Sequence, residues 1–248
     1  MEKTWEQLEE YQPIVLKMVA NSIRKKRVAH AYLFEGGRGT GKKDVAFLLA
    51  KSIFCTDKTD VKPCEQCKNC KRIASGNHPD LHVIEPDGLS IKKSQIQALQ
   101  EEFSKTGVES NQKIYIINHA DKMTANAANS LLKFLEEPSS QTVAILLTEQ
   151  IHRMLNTILS RCQILSFKPL PPKVISQQLQ DMGVPVTLST LVAHLTNNLD
   201  EAQSLSADAW FGQSRAIVLQ LYEVINTRPA DSFFVLQNQW FTHFKERN

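Results

Sequence analysis

Four of the five cysteines in this 248-residue chain fall in one short segment, Cys55-x8-Cys64-x2-Cys67-x2-Cys70. Thiolates at CxxC spacing can wrap a single ion with little strain, and Zn²⁺ prefers a tetrahedron of sulfur. Four thiolates around Zn²⁺ leave a net charge of about −2, which Lys58, Lys62, Lys68, Lys71 and Arg72 would soften. A filled four-sulfur shell has no open position for a substrate water, so the expected role is structural. Free thiols or a redox CxxC are the alternatives, but free thiols seldom concentrate this way and a redox pair needs only two sulfurs. Cys162 lies far from the cluster and reads as a small buried residue.

Glycine is also unevenly placed. Gly36, Gly37, Gly39 and Gly41 precede Lys42 and Lys43 and fit G-x-x-x-x-G-K, the phosphate-binding loop. Glycines let successive N–H groups turn inward around phosphate oxygens, and the following helix adds its N-terminal dipole. Lys42 is expected to set its ammonium against the β and γ phosphates. The next position should carry a Ser or Thr hydroxyl to ligate Mg²⁺. Here it is Lys43, which has no lone pair and repels a cation. The carboxylates of a working ATPase should end a later apolar strand, but Ile114–Ile117 runs into Asn118 and His119. Asn118 is neutral, His119 is a poor carboxylate replacement near neutral pH, and Asp121 falls beyond the apolar run. The expectation is a degenerate nucleotide site that does not hydrolyse ATP with Mg²⁺.

These devices need a scaffold. Strands are expected at Ala31–Phe34, Leu81–Ile84, Lys113–Ile117, Val143–Leu147 and Gln163–Phe167. Between them, Ile96, Leu99 and Phe103, then Ala128, Leu131, Leu132 and Leu135, repeat at helical spacing. Alternation of this kind predicts an α/β fold whose mostly parallel sheet is covered on both faces. The proline-rich Lys168–Pro172 breaks the pattern, and only helical signals follow. The predicted division is an α/β domain at 1–167 with a cysteine loop at 55–75, a small helical piece at 168–207 and further helices at 208–248. With 42% hydrophobic and 22% charged residues, the chain can bury a core rather than remain disordered. Its longest apolar run, Val45–Ala50, is far short of the roughly 20 residues of a membrane span. The acidic, polar start is unlike a signal peptide, so a cytoplasmic location is expected, where thiols stay reduced. A net charge of +3 is too mild to indicate nucleic-acid binding, and Arg24–Arg27 reads as a solvated helix end.

Two further segments, Ser130-Leu-Leu-Lys-Phe-Leu-Glu-Glu-Pro138 and Ser160-Arg161-Cys162, complete a pattern with the glycine loop and the cysteines. Together they resemble the delta-prime branch of the AAA+ clamp-loader family of bacterial DNA polymerase III, related to gamma and tau, over about residues 10–207. The resemblance implies a P-loop AAA+ core, a helical lid at 168–207, and the start of a helical collar, reduced or truncated, at 208–248. It implies a hetero-oligomeric ring with gamma/tau and delta subunits that loads a sliding clamp onto primed DNA, within a DNA-directed DNA polymerase (nucleotidyltransferase) complex. Within it, Arg161 is implied to be an arginine finger reaching a neighbour's ATP, with Ser160 and Cys162 completing the motif. A guanidinium suits that task because it neutralises γ-phosphate charge without losing its proton. Where motor subunits carry a lid arginine, this chain has Asp200, which would repel phosphates. Two other readings remain: an ATP-hydrolysing AAA+ motor with unusual metal coordination, and a zinc-dependent DNA-binding module. No aromatic interleaving supports the second.

Overall fold

Five short apolar runs form the five strands of one sheet. They are β1 (Ala31–Glu35), β2 (Leu81–Ile84), β3 (Lys113–Ile117), β4 (Thr142–Thr148) and β5 (Gln163–Ser166), in the order β2-β3-β4-β1-β5 with every pairing parallel. The structure, a computed structural model, describes residues 4–104, 112–136 and 142–245, with the side chains of residues 103 and 104 also outside the description. Phe103, Glu137 and Pro138 therefore lie beyond what is described at side-chain level.

Strand alternation sorts the core into two layers. Tyr32, Phe34, Ile114, Ile116, Val143, Ile145 and Leu147 face helices α1 (Trp5–Tyr11), α2 (Pro13–Arg24), α3 (Lys42–Phe54) and α4 (Lys68–Ala74). Leu33, Tyr115, Ile117, Ala144 and Leu146 face α5 (Lys93–Ser104), α6 (Ala125–Glu136) and α7 (Asn156–Leu159). All seven residues of β4 are buried, as a central strand covered on both faces requires. The expected continuous burial fails at β5, where only Leu165 is buried and Ile164 is 39% exposed. That strand is an edge, with β1 on one side only.

Local chemistry sets the helix starts. Thr4 and Gln7 form a reciprocal capping box for α1, and Pro13 occupies the first turn of α2, where its missing N–H costs nothing. Arg24–Lys25 lie at the end of α2, and the whole Arg24–Arg27 run is exposed. Arg24 forks onto Asp60 of the cysteine loop.

The chain divides into two compact units, Met1–Pro169 and Leu170–Asn248. In the second, α8 (Pro172–Asp181), α9 (Val186–Leu195) and α10 (Leu199–Ala207) bury Ile175, Leu179, Val192, Ala193 and Ala202. The longer α11 (Ala209–Thr227) follows, capped by the Asp208 carboxylate on Trp210 N–H. Its Trp210 stacks on His243 of a later helix, whose ring nitrogen lies 2.9 Å from Ser214 Oγ. Asp200 is exposed in the first turn of α10, where an acidic group suits the helix dipole. Among the described residues, no helix is long and apolar enough to cross a membrane.

Candidate functional site

In the sheet order β1 lies beside β4, and the chain leaves β1 toward the β2 edge but leaves β4 toward the β5 edge, so the connections diverge between these two strands. The crevice above their C-terminal ends is where ligands bind in open α/β sheets. The glycine loop fills it, joining β1 to α3. A Cβ on Gly36 would lie 2.7 Å from Phe167 O and 2.9 Å from Phe167 Cβ, so the loop passes where no side chain fits. Gly41 caps α3 at φ +86°, a left-handed conformation that favours glycine. The ammonium of Lys42 turns back onto the loop, donating to Gly36 O at 2.5 Å and Gly37 O at 2.7 Å. Burial pulls its pKa down, and the Glu149 and Asp121 carboxylates work against that shift.

A buried glutamine, invisible to the motif search, supports this loop. Gln12 is 3% exposed; its amide donates to Thr40 O (3.0 Å) and Lys168 O (2.7 Å) and accepts from Lys168 N–H (3.1 Å). One side chain thus ties the phosphate loop to the chain leaving β5.

The structure brings Lys43 and Asn118 together through a residue that sequence reasoning missed. Glu85, directly after β2, accepts from Lys43 Nζ at 2.9 Å and from Asn118 Nδ2 at 2.8 Å. Burial raises the Glu85 pKa, but the bonds from Lys43 and Asn118 outweigh it and hold the group below the usual carboxylate range. The Lys43–Glu85 pair is about half exposed, so it contributes well under about 1 kcal/mol of stability. Its importance is positional: an ammonium, an amide and their shared carboxylate stand where a hydroxyl and an aspartate would hold Mg²⁺. His119, at φ +50°, sits 4.0 Å from Glu149. Asp121 accepts from Thr148 Oγ1 at 3.0 Å, at the end of β4.

The cysteines lie at the other end of α3, about 20 Å along the helix from the glycine loop. The sulfurs of Cys55, Cys64, Cys67 and Cys70 all fall within 4.8 Å of one another. Tetrahedral sites with 2.3 Å Zn–S bonds require sulfurs about 3.8 Å apart. Cys55 and Cys64 stand at 3.5 Å, Cys55 and Cys67 at 3.9 Å. Backbone N–H groups of Cys64, Cys67 and Cys70 point at the sulfurs of Cys55, Cys64 and Cys67 respectively. These donors favour thiolate: burial pushes the Cys67 thiol up, yet the N–H groups of Cys70 and Thr56 bring it down to about 6. The four residues fit a metal ion. Lys51 Nζ, almost fully buried, holds Glu65, which lies between Cys64 and Cys67 in the chain, at 2.7 Å.

Arg161 stands apart from both devices, just past α7. Its Nη1 donates to Thr157 O (2.8 Å) and Ser160 Oγ (3.3 Å), and its Nη2 meets Glu136 Oε1 at 2.7 Å. The side chain is 33% exposed. Cys162 corrects an expectation: it is only partly buried, packed against the second core layer, although burial still pushes its thiol up to about 12.

With this geometry in place, comparison with known proteins identifies the lineage. The family model described as DNA polymerase III, delta subunit, matches residues 11–171. DNA polymerase III subunit delta' of Bacillus subtilis (strain 168) is 59% identical over 244 residues, spanning 98% of this chain and 74% of that protein. The chain belongs to the DNA polymerase III delta' family. Subunit tau of the same organism is 36% identical over 162 residues, 65% of this chain but 28% of tau. A gamma subunit-related protein of Thermotoga maritima superposes with a TM-score of 0.51 at 18% identity, covering 94% of this chain and 77% of that one. At that identity the likeness concerns fold alone, and it agrees with the AAA+ class expected for a delta' chain.

Proposed function

We propose that this delta' chain is a non-catalytic clamp-loader subunit, joining gamma/tau and delta subunits in a hetero-oligomeric ring that places a sliding clamp on primed DNA. The observation that carries the reading is the Lys43–Glu85–Asn118 network in the metal position of the phosphate loop. A cation entering there meets an ammonium and finds the nearby carboxylate already engaged from two sides. Lys42, satisfied by the loop's own carbonyls, supports the same reading. Gly36, Gly39, Gly41, Asn118 and His119 then belong to a degenerate nucleotide site that does not hydrolyse ATP.

In this reading Arg161 is the working residue, a finger offered to ATP on an adjacent subunit, with Ser160 and Cys162 fixing the motif around it. Residues 1–167 form the AAA+ core, 168–207 the lid and 208–248 the start of the collar. Cys55, Cys64, Cys67 and Cys70 hold a structural Zn²⁺, and the complex works in the cytoplasm. In a complex reconstituted with gamma/tau and delta, Arg161→Ala is expected to leave assembly intact and to lower ATPase stimulated by clamp and DNA. Trans-acting arginines in GTPases contribute about 10³–10⁵ in rate at their own site, and other sites in the ring dilute the observed loss. Unchanged ATPase in a confirmed complex would refute the assignment. Titration of the isolated chain with ATP and Mg²⁺, followed by turnover measurement, tests the degenerate site; metal-dependent turnover would overturn it.

A further inference from the structure

A guanidinium that must meet a phosphate on another chain gains from being held before the encounter, because long side chains otherwise lose rotamer freedom on binding. Arg161 offers five N–H donors. Among the described residues, Thr157 O and Ser160 Oγ accept hydrogen bonds from Nη1, and Glu136 Oε1 makes an ion pair with Nη2 at 2.7 Å. The first two acceptors come from the turn that carries the arginine itself, and Ser160 Oγ is in turn anchored on Thr157 O at 3.1 Å. Glu136 comes from a separate element, the last turn of α6, and approaches the other terminal nitrogen. The two bonds hold the Nη1 end, and the carboxylate draws the Nη2 end toward α6 by charge. The N–H groups of Nε and Nη2 make no hydrogen bond among the described residues and can meet an acceptor from outside.

We propose that Glu136 is a positioning residue for Arg161: its carboxylate holds the Nη2 end of the guanidinium by charge and so keeps the group poised for a neighbour's phosphate oxygens. The inference rests on the finger reading of Arg161. It gives the helix that ends in Glu136 a task beyond packing Leu131 and Leu135 into the core. The carboxylate is about half exposed, so the contribution is modest in size.

The test uses the reconstituted complex, with confirmed incorporation of each variant. Glu136→Ala is expected to lower the stimulated kcat about fivefold, the upper range for an exposed ion pair, without changing KM for ATP. Glu136→Gln, which keeps the shape but removes the charge, is expected to lose a similar amount, whereas Glu136→Asp, which keeps the charge, is expected to retain part of the rate. In an Arg161→Ala background, Glu136→Ala should add no further loss. An equal loss in that background would assign Glu136 a general structural role and overturn the proposal. A rate raised by Glu136→Ala would do the same, by making the carboxylate a competitor of the phosphates. If Arg161→Ala lowers the rate and Glu136→Ala does not, only the positioning role fails. If Arg161→Ala changes nothing, the finger reading fails first.

Discussion

Replacing Gln12 with alanine removes three hydrogen bonds at once and leaves Thr40 O, Lys168 O and Lys168 N–H without their side-chain partner. At about 1 kcal/mol net per bond, the expected loss is about 3 kcal/mol. For a unit of this size that lowers its Tm by roughly 6–12 °C. Urea unfolding followed by circular dichroism reads the global cost, and hydrogen exchange at the Lys168 amide reads the clamp itself. That amide should lose protection in Gln12→Ala well before the centre of β4 does. Gln12→Glu sharpens the test by keeping the shape. Its carboxylate would face two carbonyl oxygens in a buried site, so its folded pKa must rise above the unfolded value of about 4.3. The variant should then match the wild type best below that pH and lose relative stability as pH rises toward the folded pKa, with a constant deficit beyond it. A loss below about 1 kcal/mol in Gln12→Ala, with Lys168 exchange unchanged, would refute the view of Gln12 as a clamp.

Three further outcomes are expected. The purified chain should carry one metal ion coordinated by four sulfurs at about 2.3 Å, read by elemental analysis and X-ray absorption. After chelation at pH 7, iodoacetamide should modify Cys67, held at about 6, ahead of Cys162, held at about 12. A metal-free native chain, or Cys162 labelled first, would contradict these assignments. Gly36→Ala should destabilise the first unit by about 1–3 kcal/mol through overlap with Phe167. Gly37→Ala, with nothing within 4 Å of the added carbon, should stay within about 0.5 kcal/mol by thermal melting. Equal effects at the two positions would discount the overlap.

The strands were legible because a parallel sheet buried on both faces writes itself as apolar runs. Three of the five end within one residue of their expected limits and two coincide with them. The cysteines were legible for a different reason, since the clustering of their sulfurs is set by local spacing. Glu85, Gln12 and the pairing of Glu136 with Arg161 were not, and the cause is sequence distance. Glu85 meets Lys43 across 42 positions and Gln12 meets Lys168 across 156, by contacts that only the folded sheet creates. A lone glutamate after a strand or a lone glutamine before a proline carries no periodic signal. The edge character of β5 was hidden likewise, because Gln163–Ser166 is apolar only at its centre and strand order is not written locally.

The shared carboxylate of Glu85 bears on how this loop can change over generations. Lys43→Thr alone would supply a hydroxyl but strip Glu85 of its cation, and Asn118→Asp alone would set a second carboxylate against the first. Each step alone leaves carboxylate charge less compensated in the pocket while no cation is bound there. On the reading proposed above, recovery of hydrolysis would require several coordinated substitutions, including one at His119, and the network would work as a ratchet against reversal.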